Sequence, residues 1–79
     1  MKNFKAAAAE YEKAADLTDH EIERTNQKAR AARAYATAGD SAKARQLWTE
    51  LSENTKNASI ASEAKVRLGE LTAKPEKKG

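Results

Sequence analysis

His20 is the sole histidine of this 79-residue chain, and Asp16, Asp19, Glu21 and Glu23 around it supply ligand types that could loosely hold a cation. A simpler role fits the spacing: carboxylates near a helix start are stabilised by the helix dipole, by about 0.3–1 kcal/mol each. Nucleophilic chemistry has little to work with, because cysteine is absent, no second histidine can act as base, and no serine has an evident one. No glycine-rich loop could cradle a phosphate-bearing cofactor. Glu10 and Glu12 lie two positions apart, so on a helix they point to different faces and do not form an acid–base pair. The expectation is a chain with no catalytic residues, no metal site and no cofactor, and therefore not an enzyme.

Charge offers a second kind of chemistry. Arg24, Lys28, Arg30 and Arg33 give one segment a basic flank that could meet phosphates or an acidic peptide. Glu21 and Glu23 dilute that field, and a solvated face is the simpler account. The formal charge of +3 leans on Lys74, Lys77 and Lys78, near the C-terminal end; without them the balance is near zero. Nucleic acid is thus an unlikely partner, although a basic helical module for nucleic acid or an anionic surface stands as the alternative function. Tyr35 and Trp48 read as core residues between paired helices, while Tyr11 could serve either a core or an interface.

These residues must be positioned by helices. Large apolar side chains are scarce and alanine fills most other apolar positions, which suits helices that approach closely. Without cysteine, packing alone must hold the fold. No run approaches the roughly 20 apolar residues of a membrane span. Apolar spacing predicts an all-α domain over 1–73, with helices at about 3–16, 19–38, 41–54 and 59–73, followed by a basic disordered tail, 74–79, beginning near Pro75. Asn3 is the expected first cap. Thr18 with Glu21 reads as a capping box for the second helix, and Leu17 with Ile22 as its hydrophobic staple. Gly39 is the expected left-handed C-cap, Asp40 caps the third helix, and Ser59 or Asn57 the fourth. The apolar stripes comprise Phe4, Ala7, Ala8, Tyr11, Ala14 and Ala15; then Ile22, Ala29, Ala32, Tyr35 and Ala36; then Ala44, Leu47, Trp48 and Leu51; then Ile60, Ala61, Ala64, Leu68 and Leu71.

The first and third helices repeat each other. Ala7, Tyr11 and Ala14 match Ala44, Trp48 and Leu51 at a constant offset of 37 residues, and Lys28, Ala31 and Ala32 match Lys65, Leu68 and Gly69 at the same offset. A period of roughly 20–50 residues carrying two helices marks a helical solenoid.

Through Ala32, Tyr35, Ala44 and Trp48, and the turn Ala38-Gly39-Asp40, the chain resembles the tetratricopeptide repeat family. The match is good from about Thr25 to Lys56. It departs at Lys28, where the family often has Trp, at Lys56, where it often has Pro, and in a period about three residues longer than 34. The resemblance implies antiparallel hairpins stacked as a short solenoid of about four helices, and a protein-interaction scaffold. Its groove would be lined by Lys28, Ala31, Tyr35, Lys65 and Thr72 and would hold a protein or peptide partner. The phasing reads as a second helix, a full hairpin and a first helix, which implies a piece of a longer protein whose exposed terminal helices could pair as a homodimer. Arg45-Gln46-Leu47-Trp48 and Val66-Arg67-Leu68-Gly69-Glu70-Leu71 are similar to carboxy-terminal segments of bacterial envelope members of the family, so periplasm or envelope is implied, with the cytoplasm as the alternative.

Overall fold

The computed structural model describes residues 3–54 and 56–72, the side chains of Asn54 and Thr72 apart. Four helices occupy nearly all of it: α1 (Phe4–Leu17), α2 (Glu21–Ala38), α3 (Ser41–Asn54) and α4 (Ala58–Thr72). No strand occurs among the described residues. The expected tail, 74–79, lies outside them.

Local chemistry sets most of the boundaries. Asn3 caps α1, its side-chain Oδ1 accepting the Ala6 N–H at 3.0 Å. At the far end of α2, Gly39 adopts φ 89°, the left-handed conformation open to a residue without Cβ. There the Gly39 N–H donates to the Ala36 carbonyl at 3.1 Å and the Asp40 N–H to the Tyr35 carbonyl at 2.9 Å, the paired bonds of a Schellman motif. Asp40 Oδ1 then accepts the Lys43 N–H at 3.2 Å and opens α3. With Gly39 and Asp40 alone between them, α2 and α3 can only fold back as a hairpin. Asn57, not Ser59, caps α4, accepting the Ile60 N–H at 3.2 Å.

The link from α1 to α2 departs from the sequence expectation. Thr18 does not cap α2; its hydroxyl accepts the His20 N–H at 3.2 Å, and its carbonyl accepts from the Arg24 guanidinium at 3.0 Å. His20 takes the cap position with no side-chain hydrogen bond, and α2 begins at Glu21. A Thr18 cap directly after Leu17 would leave no link between the helices, whereas reversal of the chain here uses Thr18, Asp19 and His20. Nor does the staple form: Leu17 is 79% exposed and Ile22 71%.

Each helix packs on the next, and α1 with α2 share the most extensive contact. The α2 backbone also meets that of α4, but no Cα of α1 comes within 8 Å of one in α3. The core contains Tyr35, Leu47, Trp48, Leu51 and Ile60 set among alanines of all four helices, with Trp48 only 1% exposed. Phe4, placed on the buried stripe by its spacing, is 39% exposed at the start of α1. The deepest residues of α1 are Ala8 and Ala15, one position beyond the Ala7 and Ala14 that match Ala44 and Leu51. The cause is that α1 packs on α2 alone, while α3 is held between α2 and α4 and turns its buried face accordingly.

Candidate interaction surface

Of the five expected groove residues, the four whose side chains are described do not share one exposed surface. Ala31 and Tyr35 are buried in the core, Lys28 is half-buried in an ion pair with Glu50 of α3, and Lys65 is exposed on α4. The Thr72 side chain lies outside the described residues. At 3.6 residues per turn, the stripe of Lys28, Ala31 and Tyr35 sits about 160° around α2 from the stripe of Arg30, Arg33 and Thr37. It is this second stripe that faces solvent.

Tyr35 shows what holds its side of α2 inward. Its phenol donates to Glu12 Oε1 of α1 at 2.6 Å, and the Lys43 ammonium of α3 lies 5.6 Å from the ring centre. The bond to Glu12, then burial, then the charges of Glu12 and Asp40 push the phenol pKa up to about 12. Tyr35 is therefore a joint among three helices.

The exposed stripe of α2 separates two grooves. Between α1 and α2 lies one of about 350 Å³, lined by Phe4, Ala7 and Tyr11 on one wall and Arg30, Arg33, Ala34 and Thr37 on the other. A second, of about 230 Å³, runs between α2 and α4; Arg33, Ala36 and Thr37 face Arg67, Glu70 and Leu71 across it, with Trp48 at its floor. Its charges are matched. Arg33 grips Glu63 with both ends of its fork, Nε to Oε2 at 3.0 Å and Nη2 to Oε1 at 2.7 Å. Arg67 sits 3.5 Å from Glu63 and 3.4 Å from Glu70. The hydrogen bond from Arg33, with the charges of both arginines, holds the Glu63 carboxyl below the usual carboxylate range against the opposing pull of burial. The same bond raises the Arg33 pKa.

A third concavity, about 480 Å³, lies at the start of α2 among His20, Glu21, Ile22, Thr25, Lys56 and Asn57. Lys56 and Glu21 face each other there at 3.8 Å. Among the described residues, no group of three or more His, Cys, Asp and Glu side chains is placed to hold a metal ion. Glu23, from the cluster around His20, accepts from Gln27 at 2.7 Å.

The basic flank is divided in the same way. Arg24 donates to Thr18, Lys28 to Glu50 and Arg33 to Glu63, while the exposed Arg30 guanidinium has no ionic or hydrogen-bonding partner among the described residues. The signal that could have found the open face is the alanine-free stripe Asn26, Arg30, Arg33 and Thr37, whose helical spacing is as regular as that of any apolar stripe in the chain. No described helix is long and apolar enough to cross a membrane. Comparison with family models, curated proteins and solved structures found no match.

Proposed function

We propose that this protein is a non-enzymatic protein-interaction scaffold, built as a short, divergent tetratricopeptide-like solenoid. The observation that carries the reading is a packing asymmetry: α2 meets α4, whereas α1 and α3 stay apart. In a stack of hairpins, the layer whose members approach each other is the inner layer of a curved array, and its exposed side is concave. That layer, α2 and α4, holds the two helices that the repeat spacing pairs as equivalent. The shortest Cα dimension of the molecule, 15 Å, suits two helix layers at an axial separation of about 8–10 Å. A partner segment would lie along Arg30, Arg33 and Thr37 of α2. The open outer faces of α1 and α4, the latter carrying the exposed Val66, are where further hairpins or a second copy would stack.

The alternative, a phosphate-binding basic face, draws less support because three of the four basic residues of the α2 flank are already bonded within the domain. Peptide-display selection against the whole chain tests the scaffold reading. A consensus whose synthetic peptide shifts backbone amide resonances along the exposed side of α2 or α4 is the expected result. Selection that yields no consensus, or binding that maps to the outer side of α1 and α3, would count against it.

A further inference from the structure

We propose that the groove between α1 and α2 takes an acidic peptide segment in extended form, its carboxylates meeting Arg30 and its apolar side chains resting on Phe4 and Tyr11. The proposal rests on the scaffold reading and specifies the partner's chemistry.

Charge complementarity singles this groove out. Each of the three concavities described above contains basic side chains, but among them and among the described residues only this one has charge left over. At the start of α2, Lys56 faces Glu21, and between α2 and α4 the arginines Arg33 and Arg67 are matched by Glu63 and Glu70. The α1–α2 groove has no carboxylate among its lining residues, and Arg30 has no partner among the described residues. Arg33, which also lines it, is held in place by Glu63 and so presents a fixed guanidinium edge.

The opposite wall is apolar. Phe4 is the one exposed aromatic among the large hydrophobic residues of the described surface, and it shares its wall with Ala7 and the half-buried Tyr11. A groove with one basic and one apolar wall suits a strand-like segment, because successive side chains of an extended chain point to opposite sides. Carboxylates at alternate positions would face Arg30, and aliphatic or aromatic side chains between them would cover Phe4. Binding would withdraw the arginine from water, where a paired charge is worth more than at the open surface and an unmatched one is penalised.

The test titrates the isotope-labelled full chain with three eight-residue peptides that alternate leucine with glutamate, glutamine or lysine, and with an oligouridylate of similar length. The glutamate peptide should bind best, weaken as ionic strength rises, and shift the amides of Phe4, Tyr11, Arg30 and Thr37. Arg30→Glu should weaken it about tenfold or more, since the charge at an exposed position is reversed while the fold is untouched. Phe4→Ala should weaken it too, with the helical circular dichroism retained. Equal binding of all three peptides, no binding at millimolar peptide, or tighter binding of the oligouridylate would each overturn the proposal. Glutamate-peptide shifts centred on Arg67 and Leu71 would remove this groove yet leave the scaffold reading standing, whereas a failed display selection removes the scaffold reading itself.

Discussion

In α1 and α2 every buried side chain is alanine apart from Thr25 and Tyr35, whereas in α3 and α4 the buried set is Leu47, Trp48, Leu51 and Ile60, with Ala44 and Ala64 as the small members. The two halves reach a packed interior by opposite means. Alanine lets two backbones draw together, and α1 with α2 make the most extensive helix contact of the domain. Each alanine buries little area, so the gain there is spread over many weak contacts. In the second half a few large side chains carry most of the apolar burial. One half is therefore vulnerable to enlargement, the other to truncation.

The largest expected effect is in the second half. Trp48→Ala should cost about 3–5 kcal/mol. A domain below about 80 residues rarely has more than about 3–5 kcal/mol in hand, so the variant should lack a cooperative thermal transition in circular dichroism. Retention of such a transition would mean that the alanine-packed pair holds the fold without the large side chains.

Tyr35→Phe comes next, and it probes the largest side chain buried in the first half. It removes a hydrogen bond to a carboxylate, a loss of about 1.5–3 kcal/mol, with the lower end expected because Glu12 keeps some access to water. The pH signature has a definite sign. The folded phenol titrates near 12 against 10.0 for a free one, so its contribution is complete below pH 10.0 and is lost as pH rises toward about 12. Wild-type stability should fall over that window more steeply than that of Tyr35→Phe in urea melts. Parallel curves would show that the bond to Glu12 contributes nothing.

Ala32→Leu sharpens the comparison from the other side. Ala32 is fully buried, and adding three carbons where backbones lie close should cost about 1–3 kcal/mol. A neutral result in urea unfolding would show a first half that is loosely packed after all.

The same contrast explains what could be read from the sequence. Leu47, Trp48 and Leu51 have few rivals in their segment, so the buried face of α3 is fixed by them alone, and the structure buries all three. Asn3, Gly39 and Asp40 are legible for a related reason, since each does something at a helix end that few residue types can do. In α2 that kind of information is missing. Alanines at 29, 31, 32, 34, 36 and 38 surround the helix, and alanine is equally at home inside and outside, so apolar spacing selects a face only loosely: of the expected stripe, Ala29, Ala32 and Tyr35 are buried but Ile22 and Ala36 are exposed. Tyr35 is therefore read both as core and as groove lining, and its burial bears out the first reading; the open face shows instead in the polar stripe that contains no alanine. The α1–α2 link misled because Thr18 and Glu21 have cap spacing, although the chain there needs residues for a reversal.

The smallest effect concerns one of the bridges that tie the halves together. Arg33 and Glu63 join α2 to α4 through two hydrogen bonds, but the arginine is about half exposed, and solvent screening limits such a pair to about 0.2–1 kcal/mol. The Glu63 carboxyl is held below its ordinary pKa, so its contribution is complete above the usual carboxylate range and disappears as pH falls through the lowered value. Glu63→Gln should thus lower stability slightly at neutral pH and match the wild type in acid. High salt should shrink the neutral-pH gap, because the pair lies at the surface. Were the gap to persist in acid or in salt, the loss would have to come from side-chain packing across α2 and α4, and the bridge would be part of the small C-terminal core rather than a charge clasp laid over it.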